Sequence, residues 1–95
     1  MSLNIQHEEA HGHGAFFIQT SDKRVAEMAY TRNNPALITI IHTKVDDAMA
    51  GQGVARQLLD TLLAWVRSND TKVIAVCPYA KSQFAKDPSI RDVLA

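Results

Sequence analysis

The sequence predicts one mixed α/β (α+β) domain in which an antiparallel meander of strands turns parallel at a single strand–helix–strand unit. Three observations lead to this prediction. Short strand-forming segments alternate with tight turns through the first half, a segment with helical periodicity follows, and a short apolar run comes after it. Because strand, helix and strand in succession form a crossover, the strands flanking the helix should be parallel. At 95 residues we expect a single domain spanning residues 1–95, with helices on the faces of its sheet.

Four segments in the first half are rich in strand-forming residues. The turns between them are marked by the glycines of "EEAHGHG", by "SDK" and by the proline of "NNP", and such close spacing favours antiparallel hairpins. The fourth segment is a long β-branched run, expected to be a central strand covered on both faces. The segments are Asn4 to His7, Ala15 to Thr20, Arg24 to Arg32 and Ala36 to Val45.

The second half predicts a long amphipathic helix, a buried strand and a short helix. From Gly53 to Asn69 the apolar residues recur at helical spacing, so this segment should pack one face on the sheet. The apolar run Lys72 to Cys77 is typical of a short buried strand. Pro78 ends that strand and suits the first turn of a helix over "PYAKSQFAKD". The final segment, "PSIRDVLA", has no clear structural pattern.

Composition excludes several functional classes. Ten basic and ten acidic residues give a formal net charge of zero, so no basic field would attract nucleic acid or a membrane surface. The single cysteine, Cys77, allows no internal disulfide, which fits a reducing compartment. The N-terminus "MSLNIQHEEA" lacks the apolar core of a signal peptide, and no apolar run approaches membrane-spanning length. We therefore expect a cytoplasmic protein without nucleic-acid or membrane partners.

A glycine pair marks the start of the long helix. Gly51 and Gly53 stand where a helix N-terminus presents unpaired N–H groups and its positive dipole end. Bare backbone there lets a large anion such as pyrophosphate approach closely. The pair is not a Walker A loop, because Val54 and Ala55 follow where Lys and Ser or Thr are needed. A dinucleotide fingerprint fails too, because no acidic residue follows the next strand. On spacing alone, a plain loop-to-helix turn remains open.

The segment "AGQGVARQLL" resembles the coenzyme A loop of the GCN5-related N-acetyltransferases, whose pattern is Arg/Gln-x-x-Gly-x-Gly/Ala. Gly53 and Ala55 match its last two fixed positions, whereas Ala50 departs from the first. The similarity extends from "HTKVDDAMAGQGVARQLL" to "KVIAVCPYAKSQF". More specifically, the chain resembles a subfamily of very small acetyltransferase-like proteins, which is marked by "HT" before the loop and "CP-aromatic-AK" after it. It implies a truncated version of the family fold, lacking the helices between the first two strands, with a splayed groove for acetyl-CoA.

The resemblance also implies which residues bind acetyl-CoA. Lys44 and Val45 would lend strand-end backbone groups to the pantetheine arm and the thioester carbonyl, and polarising that carbonyl stabilises the oxyanion formed on attack. The backbone around the pyrophosphate would come from Gly51, Gln52, Gly53, Val54 and Ala55.

His42 and Cys77 are the candidate catalytic residues. His42 lies in the apolar run "ITIIHTKV" and is either a base for the attacking amine or a buried core histidine. Glu27, on a neighbouring strand, is an alternative base, although a solvated strand face explains it better. The usual family tyrosine, which protonates the departing thiolate, is replaced by Phe84, and Tyr79 is one helical turn away.

Cys77 stands where the acyl end of the pantetheine should arrive. A helix N-terminus lowers the pKa of a thiol, so we expect this thiol either to accept the acetyl group or to protonate the departing coenzyme A sulfur. The alternative is a small buried apolar residue.

The resemblance implies acetyl transfer to an amine by direct attack within a ternary complex. A module that holds acetyl-CoA without turnover is the alternative. With the acceptor-covering helices missing, the open site favours a protein lysine or terminus, and a second copy could close it, so a monomer or a homodimer is expected. His7, His11 and His13 suggest a metal site by spacing, but no carboxylate or thiol pattern completes one, so we expect a solvated turn and no metal.

Overall fold

A computed structural model, which describes residues 4–95, has one five-stranded sheet in the order β1-β2-β3-β4-β5. The pairs β1–β2, β2–β3 and β3–β4 are antiparallel, and the pair β4–β5 is parallel. The predicted fold class is therefore confirmed. The strands are β1 (Gln6–Ala10), β2 (His13–Thr20), β3 (Lys23–Asn34), β4 (Leu37–Val45) and β5 (Lys72–Ala75), and the helices are α1 (Val54–Ser68) and α2 (Pro78–Lys86).

Several predicted boundaries were wrong, chiefly because strands extend beyond the segments that are rich in strand-forming residues. Most of "EEAHGHG" lies in β1 and β2 rather than in a turn, because the ladder between them continues to the pair Ala10–His13. The turn is confined to His11 and Gly12, whose φ angles are 55° and 78°. The unassigned C-terminal segment forms a 3₁₀ helix, Pro88–Val93, after which Leu94 bridges to Val73 of β5. A second 3₁₀ helix, Asp47–Met49, joins β4 to the glycine loop.

Both α-helices pack on one face of the sheet, which corrects the expectation of helices on both. The apolar face of α1 buries Leu58 and Leu62 in one core with Tyr30, and Phe84 of α2 belongs to the same core. Among residues 4–95 no helix covers the opposite face, which we call the outer face. There Ile41 of β4 is 43% exposed. The β-branched run of β4 was therefore wrongly expected to be covered on both sides.

An aromatic cluster lies on the β1 side of the core. His7 stacks on Phe16 at 4.0 Å between ring centroids, and its Nε2 lies 2.7 Å from the hydroxyl of Tyr30. That hydroxyl donates to Glu9, which also pairs with Arg32 at 2.6 Å. Burial lowers the pKa of His7 and favours its neutral form. His7 therefore makes ordered contacts in β1 although its side chain is exposed, and it does not lie in the turn where we expected it.

Metal ligands and membrane-spanning helices would each leave a recognisable arrangement of residues. Within residues 4–95, no group of three or more His, Cys, Asp or Glu side chains is arranged to hold a metal ion. In the same range, no helix is both long enough and apolar enough to cross a membrane.

Candidate functional site

The glycine loop owes its two glycines to backbone conformation. Gly51 and Gly53 have φ angles of 81° and 69°, in the left-handed region that costs other residues roughly 1–2 kcal/mol. A Cβ atom added at either position would meet nothing within 4 Å. The glycines are therefore not needed to relieve crowding within the protein, and the space above both is open to a ligand.

The loop also leaves a run of backbone donors free. No N–H group from Gly51 through Arg56 has a hydrogen-bond partner among residues 4–95, and the first bond of the helix runs from Gln57 N to Gly53 O at 3.1 Å. Gly53 is the N-cap of α1 and has no side chain to satisfy these groups. Free N–H groups at the positive end of a helix dipole bind anions. The loop can therefore hold a phosphate or pyrophosphate.

The approach to the loop is fixed by Asp46. Its side chain accepts a hydrogen bond from Ala48 N at 3.2 Å and pairs with Lys23 at 2.8 Å. The hydrogen bond from Lys23 is the main reason why the pKa of Asp46 is lowered. The backbone N–H of Asp46 donates to Val25 O at 2.7 Å. These bonds set the direction in which the chain leaves β4 and enters the loop.

A cavity of about 280 Å³ runs along the loop. It brings together most of the residues that the resemblance assigned to acetyl-CoA, except Gln52 and Lys44. Gln52 is exposed, and Lys44 borders a separate cavity of about 300 Å³ between the ends of β3 and β4. The loop cavity is lined by Val45, Met49, Ala50, Gly51, Gly53, Val54, Ala55, Arg56 and Tyr79.

Arg56 is the one charged side chain that lines the loop cavity, and sequence reasoning missed it. Its guanidinium donates to Asp60 at 2.9 Å, to Gln83 at 2.8 Å and to Asp87 at 2.6 Å, so it ties the start of α1 to α2. The hydrogen bond from Arg56 is the largest reason why the pKa of Asp87 falls to about 2. Tyr79 faces the same cavity, and burial raises its pKa, which keeps its hydroxyl protonated.

The strands β4 and β5 diverge beside this cavity. They pair from Leu37 and Lys72 to Ile40 and Ala75. The N–H groups of both Val76 and Cys77 then bond to Ile40 O at 3.0 Å, and the chain turns away into α2. Residues 41–45 of β4 consequently have no β5 partner. This gap, which we call the splayed groove, leaves the edge of β4 open to an extended ligand.

The two candidate catalytic residues lie on opposite sides of β4. Cys77 is 2% exposed and is the N-cap of α2, and its Sγ lies 3.0 Å from Thr43 Oγ1. His42 precedes Thr43 on β4, so its side chain points to the outer face, where it is exposed. This position is incompatible with the interpretation of His42 as a buried core histidine. The structure brings Cys77 together with Thr43 and does not bring it together with His42.

The remaining candidates lie away from Cys77. Glu27 of β3 pairs with Lys44 in the ladder and is half-buried. Phe84, which stands in the position of the usual family tyrosine, is buried in the core.

A parallel strand pair that splays beside a helix N-terminus with free amides is the arrangement expected of a GCN5-related acetyltransferase. The chain belongs to this family, because residues 15–93 match the family model of the GCN5-related N-acetyl-transferases. A GCN5-like candidate N-acetyltransferase from Staphylococcus aureus, solved by NMR, is 33% identical, with a TM-score of 0.76 over 98% of this chain and 88% of that one.

More distant structures share the fold alone. A ribosomal-protein-alanine N-acetyltransferase from Brucella melitensis biovar Abortus 2308 is 16% identical, with a TM-score of 0.62 over 90% of this chain and 64% of that one. A GNAT family acetyltransferase from Elizabethkingia anophelis, with acetyl-CoA bound, is 10% identical, with a TM-score of 0.60 over 79% of this chain and 52% of that one. The chain thus spans between half and two thirds of these longer proteins. A search of curated proteins found no match.

Proposed function

We propose that this protein binds acetyl-CoA in the splayed groove and transfers its acetyl group to an amine. The observation that carries this proposal is the run of free N–H groups from Gly51 through Arg56 at the base of the groove. Family membership supports it independently. So does the Elizabethkingia anophelis structure, which holds acetyl-CoA on the same fold.

In this proposal the pyrophosphate lies against the backbone of residues 51–55. The pantetheine arm then follows the open edge of β4, where Lys44 and Val45 offer backbone groups. Lys44 would contribute its backbone to that arm, since the residue borders the other cavity and does not line the loop cavity. This direction carries the thioester from the loop toward Thr43 and Cys77, which face each other across the groove.

The groove permits two routes for the acetyl group. In one, the amine attacks the thioester carbonyl directly. In the other, the Cys77 sulfur bonds to the acetyl carbon as the carbon–sulfur bond to coenzyme A breaks, and coenzyme A leaves as the thiol with the proton that Cys77 gave up. The amine then attacks the S-acetyl group and restores the Cys77 thiol. His42, on the outer face, would take the proton of an amine arriving from that side.

The acceptor is proposed to be an amine on a protein, either a lysine or a chain terminus. The outer face beside the groove has no covering helix among residues 4–95, and Ile41 and Val76 expose apolar side chains there, the latter by 51%. Small-molecule sites are usually concave and enclose most of their ligand. This open face suits a large acceptor better.

A single substitution tests the acetyl-CoA site. Ala55 lies in the first turn of α1 and lines the loop cavity. Ala55→Glu places a carboxylate where the pyrophosphate should lie, while a negative charge at a helix N-terminus slightly stabilises the fold. We expect calorimetry to show at least tenfold weaker acetyl-CoA binding, about 1.4 kcal/mol, with an unchanged or higher melting temperature. Ala55→Gln, of similar size and uncharged, is the matched control and should bind more tightly than the Glu variant. Equal affinities of the two would contradict the assignment.

A non-catalytic acetyl-CoA module is the second candidate, favoured by the phenylalanine at position 84 and by the deep burial of Cys77. Release of the coenzyme A thiol in the presence of peptide amines separates an enzyme from a module. Intact mass after incubation with acetyl-CoA separates the two catalytic routes. An acetyl adduct that is absent from Cys77→Ala and is discharged by an added amine supports the covalent route. Full turnover in Cys77→Ala supports direct attack.

A further inference from the structure

We propose that Thr43 is the residue that positions the Cys77 thiol and stabilises its thiolate during acetyl transfer. This inference rests on the proposed function. Its starting point is the contact of 3.0 Å between Thr43 Oγ1 and Cys77 Sγ, the one side-chain hydrogen bond that either residue makes within residues 4–95.

A β-bulge in β4 creates this contact. Tyr30 of β3 pairs with Ile40 and the next residue, Ala29, pairs with His42, so Ile41 is an extra residue with no partner. Side chains alternate between faces along a strand, and Ile40 faces the core. In a regular strand without this bulge, His42, two residues after Ile40, would face the core as well. The bulge moves Thr43 there instead, opposite the buried Met28. Bulges commonly re-aim a side chain next to an active site.

The surroundings of Cys77 give this hydroxyl a chemical role. Cys77 is 2% exposed and packs in the apolar core. Burial of this kind disfavours a thiolate unless a hydrogen-bond donor compensates for the lost water. A threonine hydroxyl suits both protonation states of the cysteine, because it accepts a hydrogen bond from the neutral thiol and donates one to the thiolate.

The same hydroxyl is placed for the acetyl step. Thr43 belongs to the part of β4 that no longer pairs with β5, so it lies on the strand edge that borders the splayed groove, and its side chain contacts the thiol. When the Cys77 sulfur bonds to the acetyl carbon and the bond to coenzyme A breaks, the hydroxyl proton stays on Thr43. The residue therefore acts by hydrogen bonding and is not consumed, which makes it a positioning residue for Cys77.

Alkylation of the thiol tests this inference without acetyl-CoA. Cys77 is the sole cysteine, so intact mass after treatment with iodoacetamide reports on it alone. Thr43→Val keeps the shape and removes the hydroxyl, whereas Thr43→Ser keeps the hydroxyl. We expect alkylation near neutral pH to slow by about tenfold in Thr43→Val, because the reactive thiolate loses its hydrogen-bond donor. Thr43→Ser should keep the rate within about threefold.

Two controls make the result decisive. In guanidinium all three proteins should react at the same rate, which shows that the difference belongs to the folded state. Circular dichroism checks that the variants fold, and Thr43→Ala replaces Thr43→Val if the latter does not. Identical pH profiles for the wild-type and hydroxyl-free proteins would overturn the inference, as would a folded-state thiol that stays unreactive in all of them. Failure of acetyl-CoA to bind would instead overturn the proposed function, and the alkylation series would remain readable.

Discussion

Replacing Gly53 by alanine should separate the cost to the fold from the cost to the ligand. Gly53 has a φ of 69°, and a Cβ added there would touch nothing within 4 Å, so the protein itself imposes no steric penalty. What remains is the left-handed backbone, roughly 1–2 kcal/mol for a residue with a Cβ. For a domain of this size each kcal/mol lowers the melting temperature by roughly 4–8 °C. Gly12 is a matched control, because its φ is 78° and its added Cβ also meets nothing within 4 Å.

The two glycines share a left-handed φ but lie in different elements, since Gly53 is the N-cap of α1 and Gly12 is in the turn between β1 and β2. Gly12 O accepts a bond from Arg32 N, at the end of β3 away from the loop. In thermal unfolding, the melting temperature should therefore fall by a similar amount in the two alanine variants. In calorimetry with coenzyme A, however, only Gly53→Ala should weaken binding, by about tenfold or 1.4 kcal/mol, because its methyl group and altered φ disturb the free N–H groups. Equal coenzyme A affinities for the two variants would refute the assignment of the anion site.

Three further outcomes follow from the structure. Gly14→Ala should cost about 1–3 kcal/mol in urea unfolding, as overpacking does, because its Cβ would lie 2.3 Å from the Tyr30 ring, and a persistent cost in a Tyr30→Leu background would rule out this clash. Unfolding free energy should fall as pH drops below 6.5, since the pKa of His7 is lowered from that value in the folded state, and His7→Gln should reduce this slope between pH 7 and 5.5. The backbone amides of α2 should exchange with solvent faster than the amides of those β4 residues that pair with β3. Equal protection would contradict a loosely held α2.

The sequence contained most of the fold because its local signals agree. Periodicity placed α1 within one residue of its observed ends, and Pro78 correctly marked the start of α2. The glycine pair correctly marked the loop, although for a partly different reason, since the left-handed backbone there favours glycine. Signals of this kind depend only on neighbours along the chain.

The features that sequence reasoning missed depend on distant residues. Arg56 stands out in the structure because Gln83 and Asp87 approach it from 27 and 31 positions away. The bulge at Ile41 has no glycine or proline to mark it, and it decides which of two adjacent side chains faces Cys77. Uniform β-branched residues in β4 indicated a strand but not how many of its faces are covered.

The two walls of the splayed groove are held with unequal strength. One wall, β4, is hydrogen-bonded to β3 along its length, so it cannot shift without disrupting the sheet. The other wall begins at Cys77 and continues as α2, which follows a strand of only four residues and is joined to α1 by Arg56. The ion pair between Arg56 and Asp87 is partly exposed, and pairs of that kind contribute little stability.

This difference bears directly on reactivity. Cys77 is 2% exposed, so an acetyl group can reach its sulfur only if the groove widens. Because β4 is fixed, the widening has to come from α2, which is held by the buried Phe84 and by Arg91 as well as by Arg56. Of these three side chains, Arg56 is the one that also lines the loop cavity. A ligand whose phosphates lie at the start of α1 would therefore contact the same residue that holds α2. Occupation of the loop and access to Cys77 are thus expected to be coupled through Arg56, and a change in the exchange rate of α2 amides on adding coenzyme A would be the signature of that coupling.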